Sequence, residues 1–85
     1  MKVIEKKIKH NFLKDIYLGR KTFELRKEDD VIYEENDILF LRSVNENGVL
    51  IEDEYLVCQI TYVLRNYEGL QDGYVILGIK ILDVR

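Results

Sequence analysis

The segment Gly19-Arg20-Lys21-Thr22-Phe23-Glu24-Leu25-Arg26 puts a glycine able to stop a helix, a lysine, a carboxylate and an arginine within eight residues. Such a cluster has two chemical uses. It can hold an anion, with the Arg26 guanidinium forking onto phosphate or carboxylate and Lys21 adding a point charge. It can also move a proton, with Lys21 or Glu24 retuned by the charges beside it. Residues two apart on a strand share a face, so Glu24 and Arg26 point the same way. Lys21 falls in the turn before them, and Arg20 and Thr22 complete its surroundings. The plain alternative is a surface strand with an ordinary ion pair, which contributes about 0–1 kcal/mol.

Other side chains are weaker candidates. Tyr17, Tyr62 or Tyr74 could stack on a base beside the cluster, although each also suits core or rim packing. With a phosphate on the cations and a base stacked nearby, Glu24 would accept from a base amino group. His10 is the one histidine and reads as a surface residue. Cys58 lies mid-strand among apolar residues and reads as an inert buried thiol. Glu52-Asp53-Glu54 could meet a divalent cation, but neighbours on a strand point opposite ways, so a solvated loop is expected and no metal site. No cofactor is expected.

The elements that must position the cluster follow from patterning. Residues 2–8 read as a strand through Val3, Ile4 and Ile8. Asn11 suits a helix N-cap, since its side chain can accept a free N–H of the first turn. Phe12, Leu13, Ile16 and Tyr17 then recur at helical spacing, and Gly19 suits the left-handed stop. A short helix over 12–18 is predicted. Residues 21–27 alternate, giving a strand with an apolar and a polar face. Residues 28–37 are acidic and read as loop. Ile38-Leu39-Phe40-Leu41 is a near-continuous apolar run, as in a strand buried on both faces. Asn45 to Gly48 is a turn, with Val49 to Ile51 pairing back. Tyr55 to Leu64 and Tyr74 to Val84 are strands rich in β-branched and aromatic residues, with a polar loop between them. Five or six strands with one short helix predict a mainly β, α+β domain built as a small closed or half-closed barrel.

The bulk numbers agree with one domain over 1–85. Apolar residues make up 47% of the chain, enough to build a core and argue against disorder. One cysteine excludes an intrachain disulfide and fits a reducing cytoplasm. No stretch reads as a leader or a membrane helix, so a soluble, cytoplasmic protein is expected. The net charge of −3 argues against non-specific nucleic-acid glue. It is unevenly spread, however. Residues 1–27 hold nine Lys/Arg and three Asp/Glu, while the rest holds four and thirteen. If the basic segment folds onto one face, the molecule carries an anion-attracting patch.

Gly19, Lys21, Glu24 and Arg26 match G-x-K-x-x-E-x-R, and the chain here resembles ASCH domains of the PUA-like superfamily. It is similar in particular to a bacterial and phage family of ASCH-like domains with a G-K/R-K-T-F-E-I/L-R-K segment, here Gly19 to Lys27. Asp37 before a strand, Ile60 to Leu64, and Gly73 to Leu77 supply the later blocks in order. The resemblance spans nearly the whole chain. It departs at Glu35-Asn36-Asp37, where the family has Val-Gly-Asp, although Asn36 can adopt the same turn. Asp29-Asp30 stands where a basic residue is common, which weakens any phosphate role for that loop. The resemblance implies a PUA-like β-barrel and RNA binding or RNA-linked chemistry. Other ASCH proteins are suggested to cleave RNA with a lysine and a tyrosine or serine, which Lys21 with Tyr62 or Tyr67 could imitate. Some small ASCH-like proteins are similar to amidohydrolases of N4-acetylcytidine, with a lysine activating a threonine three residues on. Glu24 stands at that position, so that reaction is not expected. The function read here is an RNA- or nucleotide-binding domain using a Lys/Glu/Arg cleft. The alternatives are a small enzyme on RNA or a modified nucleoside, and a module that binds a protein partner.

Overall fold

The computed structural model describes residues 1–84. The elements run β1 (Val3–Lys9), α1 (His10–Tyr17), β2 (Phe23–Lys27), β3 (Ile38–Val44), β4 (Leu50–Leu64) and β5 (Tyr74–Val84). The strands form one sheet in the order β1-β3-β4-β5-β2. β1 and β3 are parallel, and the other pairs are antiparallel. The fold is therefore mostly β with one short helix, and the sheet curls into a half-barrel. Of the two expected forms, the half-closed one is found. β1 and β2, consecutive strands in the chain, are the two free edges.

The curl has local causes. β4 shifts register against β5 between Val57 and Cys58 and again between Ile60 and Tyr62. Each extra residue on one strand increases local twist and bend. The concave face carries the core: Ile4 and Ile8 from β1, Leu39 and Leu41 from β3, and Leu56, Cys58, Ile60, Val75, Leu77 and Ile79 from β4 and β5. Leu13 and Ile16 of α1 plug this face. Each such aliphatic side chain contributes about 1.5–3 kcal/mol when removed from water.

Helix α1 starts earlier than its sequence pattern suggests. β1 runs straight into it, so Lys9 takes the cap position, with no side-chain cap bond, and Asn11 lies inside the first turn. The stop behaves as expected. Gly19 has φ 78°, and its N–H donates to Ile16 O at 3.0 Å. Asn36 likewise supplies its turn, at φ 75°.

Two further expectations are corrected. β3 is not buried on both faces: Leu39 and Leu41 are fully buried, but Ile38 and Phe40 on the other side are only half-buried. Glu52-Asp53-Glu54 is not a loop but part of β4. Asp53 has φ 57°, and this kink turns Glu54 back toward the chain, where it accepts from Ser43 Oγ at 2.9 Å. The Asn45–Gly48 turn is as expected: Asn45 Oδ1 accepts from the N–H of Asn47 and of Val49, and Gly48 has φ 79°.

Asp37, which opens β3, ties the sheet at its start. Its carboxylate accepts from the Lys2 N–H at 2.9 Å, the Lys2 ammonium at 2.7 Å and the Glu34 N–H at 3.1 Å. Burial works to raise this carboxyl, but the bonds from Lys2 and Glu34 outweigh it and hold it below the usual range. Among the described residues no helix is long and apolar enough to cross a membrane.

Candidate functional site

Strand β2 alternates as read from sequence, and its polar face is the inward one. Phe23 and Leu25 point outward, 46% and 55% exposed, while Glu24 is 4% exposed. A buried carboxylate is tolerated only if it is paired and hydrogen-bonded. Glu24 meets that condition through the two residues its spacing brings near. Oε1 accepts from Arg26 Nε at 3.0 Å and Nη2 at 2.7 Å. Oε2 accepts from the Lys21 ammonium. One carboxylate between two cations leaves one surplus positive charge at this end of the half-barrel.

Both cations have second tasks. Lys21 Nζ donates to Phe23 O at 2.6 Å and lies 5.7 Å from the centre of the Phe12 ring and 4.9 Å from that of Phe23. Each ring face attracts the ammonium electrostatically. Arg26 Nη2 donates to the Lys7 carbonyl at 3.0 Å, from one free edge of the sheet to the other. Lys21 and Arg26 keep side-chain exposures of 16% and 20%, so the cluster opens to solvent through its cations.

Deeper in the same mouth, burial, reinforced by the Glu24 charge, pushes the Cys58 thiol up to about 11. Cys58 is fully buried, the inert thiol its sequence context suggested.

Sequence reading missed the plug of this mouth. Tyr33, in the acidic loop, is fully buried. Its hydroxyl has no well-formed hydrogen bond, since the Lys6 ammonium near it turns to Asp30 Oδ1 at 2.9 Å. Burial raises the Tyr33 phenol above its usual range, against the pull of the Lys6 and Arg26 charges. The loop is clamped by Glu28, which accepts from the Tyr33 N–H at 2.9 Å and from Arg65 Nε and Nη2 at 2.9 and 2.8 Å. Arg65 also donates to the Tyr33 carbonyl. The one sequence signal was a valine and a tyrosine alternating, Val31 and Tyr33, inside an otherwise acidic stretch. Asp30, marked as a departure that weakens phosphate binding, is here the partner of Lys6.

The remaining candidates divide by position. Arg20 is exposed beside Lys21 and 4.0 Å from Asp15. Thr22 is exposed, and its carbonyl accepts from the Ile79 N–H at 3.0 Å, which docks the start of β2 on β5. Tyr17 is exposed at the end of α1 and Tyr67 in the loop after β4. Tyr62 comes level with Phe23, because both pair with Gly78 of β5. Tyr74 pairs with Lys27 at the far end of β2.

A separate concavity of about 760 Å³ lies between the start of α1 and the β3–β4 turn, lined by residues such as Lys9, His10, Asn11, Asn45 and Asn47. It does not include the Lys21–Glu24–Arg26 cluster. His10 there contacts Glu54, which also accepts from Ser43. The carboxylate sits between hydroxyl and imidazole, the wrong order for a base that must touch its nucleophile.

Among known protein families, the model described as a domain of unknown function, DUF3850, matches residues 3–79. No curated protein matches the chain at a significant level.

Proposed function

The chain belongs to the DUF3850 family, whose description names no ligand, and from its own residues we propose that it binds RNA or a nucleotide-like ligand at the Lys21–Glu24–Arg26 mouth. The carrying observation is the Lys21 ammonium, held between the rings of Phe12 and Phe23 directly on a buried carboxylate. A phosphate approaching there meets a cation that is already oriented. Flat apolar surface for a base lies on either side of it.

Charge placement supports the same reading. The basic part of the chain supplies β1, α1 and β2, so its lysines gather along the two free edges and the helix between them. Lys7, Lys9, Lys14, Arg20 and Lys27 are all exposed. Arg26 is committed to Glu24 and Lys7, so it shapes the mouth, and phosphate contacts fall to Lys21 and these exposed cations. The likeness of Gly19, Lys21, Glu24 and Arg26 to the ASCH motif points toward RNA as well.

The test is titration with short single-stranded RNA at about 50 and 200 mM salt. Affinity should fall with salt, and Lys21→Ala should weaken binding and flatten the salt slope by about 0.7 for one phosphate contact. Binding that is absent in the native protein, or indifferent to Lys21→Ala, overturns the proposal.

A further inference from the structure

Among the described residues, the Tyr33 hydroxyl is the one buried side-chain polar atom without a hydrogen-bond partner. A buried polar group in that state calls for a missing partner. The charged groups that bear on it are the Lys6 ammonium, the Arg26 guanidinium and the Asp30 carboxylate. An ammonium and a guanidinium only donate. The carboxylate accepts, but both of its oxygens lie on Lys6 Nζ, at 2.9 and 3.1 Å. Burial keeps the phenol protonated, so its O–H is a donor with no acceptor, set beside two cations. What the arrangement lacks is an oxygen that carries negative charge.

Asp30 stands where such an oxygen would enter. It lies in the loop between β2 and β3 with its side chain 68% exposed, while that of Lys6 is 20% exposed. An exposed carboxylate on one lysine is a weak, exchangeable partner. The loop is anchored elsewhere, by Glu28 and Arg65 on each other and on the Tyr33 main chain. Lys6 can therefore release Asp30 without freeing the loop.

We infer that Lys6 and Tyr33 form a phosphate subsite, in which a phosphate displaces the Asp30 carboxylate from Lys6 and accepts from the Tyr33 hydroxyl. The inference rests on the RNA reading above and deepens it. A tetrahedral phosphate has an oxygen for each of the two residues, whereas a carboxylate with both oxygens on Lys6 has none to spare. The exchange keeps a charge-assisted bond on Lys6 and adds one to a group that had none. Arg26 connects this subsite to the Lys21 mouth. It is held on Glu24, the carboxylate it shares with Lys21, and donates to the carbonyl of Lys7, next to Lys6. A backbone phosphate of RNA and a terminal phosphate share this chemistry.

The experiment titrates three probes at constant ionic strength: inorganic phosphate, octauridine with a 5′-hydroxyl, and octauridine with a 5′-phosphate. The proteins are the native chain, Tyr33→Phe, Asp30→Asn and Lys21→Ala. Tyr33→Phe should weaken inorganic phosphate by about 10- to 100-fold, the loss of one hydrogen bond to a charged group. In phosphate-free buffer it should melt no lower than the native chain, because phenylalanine leaves no unsatisfied hydroxyl. Asp30→Asn should tighten phosphate by about 2- to 5-fold, the competition of an exposed ion pair. A gain from the 5′-phosphate that Tyr33→Phe abolishes assigns the subsite to a strand end. Equal binding of both oligomers, weakened alike by Tyr33→Phe, assigns it to a backbone phosphate. If Tyr33→Phe melts lower and binds every probe like the native chain, a buried water satisfies the hydroxyl and the subsite falls. The mouth still stands in that case if Lys21→Ala weakens the oligomers. If inorganic phosphate binds through Tyr33 and neither oligomer binds, the RNA reading falls and the subsite stands.

Discussion

Arg26 on β2 reaches across the open side of the sheet and donates through Nη2 to the main-chain carbonyl of Lys7 on β1, 3.0 Å away. β1 and β2 are the two free edges of the five-stranded order, so no ladder joins them. The guanidinium does in one bond what closure of the barrel would do in several. Nε and the same Nη2 also donate to Glu24 Oε1, so the reach costs little further side-chain freedom. Free edges invite pairing with other chains, and covering them is a recurrent requirement of small sheets.

Lysine cannot reproduce this bridge, because its single ammonium cannot fork onto Glu24 and reach Lys7 together. Arg26→Lys should destabilise by about 1.5–3 kcal/mol, the range for lost hydrogen bonds that involve a charged group. Urea unfolding gives the value. Amide exchange should rise along β1 and β2 before β4. Exchange that rises uniformly would argue against the bridge.

Glu24 is the hub, so its removal leaves two partly covered cations facing one another. Glu24→Ala should destabilise by about 3–5 kcal/mol. Glu24→Gln keeps the shape and one acceptor oxygen, and should lose about 1–3 kcal/mol. Read from urea midpoints, the loss in Glu24→Gln isolates the charge, and the further loss in Glu24→Ala reports the missing volume and acceptor. A Glu24→Gln variant as stable as the native chain would mean that volume, rather than charge pairing, makes Glu24 matter.

Acid should unfold the domain through its loop anchors. Arg65 holds the Glu28 carboxyl below its usual range, burial opposing it and the Tyr33 N–H assisting. Asp37 is held low as well, where the bonds from Lys2 outweigh burial. A carboxyl with a depressed folded value stabilises the fold above its unfolded value, about 4. That stability is lost as pH falls through the lowered value. Stability should therefore be flat near neutrality and fall below about pH 4. Asp37→Asn should shrink the acid-side loss in a thermal-melt series. An unchanged acid limb would contradict this.

Cys58 should resist modification in the folded protein. With its thiol pushed up to about 11, the thiolate is scarce at pH 8, and burial blocks access. Alkylation followed by mass spectrometry should be slow in buffer and rapid in denaturant. Fast labelling without denaturant would show that the mouth opens to its floor.

The strands were legible because their apolar period is strong: β5 runs over the stretch read from alternation, and Gly19 and Asn36 take the turns their side chains permit. The faces were less legible. Alternation in Phe23-Glu24-Leu25-Arg26 tells which residues share a side, not which side is buried. Here the ion cluster faces inward, and two apolar residues face out. Phe40 and Ile38 fit a strand covered on both faces, but a continuous apolar run cannot reveal that one cover is absent. Tyr33 was hidden by its acidic neighbours, whose charges are taken up by Lys6, Lys2 and Arg65 from distant positions. Asn11 failed as a cap because β1 runs into α1 without a linker, which is a property of the chain path.

The most direct check on where a ligand docks is to map amide chemical shifts of ¹⁵N-labelled protein during titration with a short single-stranded RNA. Perturbations should concentrate on Lys21 to Lys27 and on Lys7 across the bridge. Shifts confined to His10, Asn45 and Asn47 around the separate concavity, or no shifts at saturating RNA, would contradict the account.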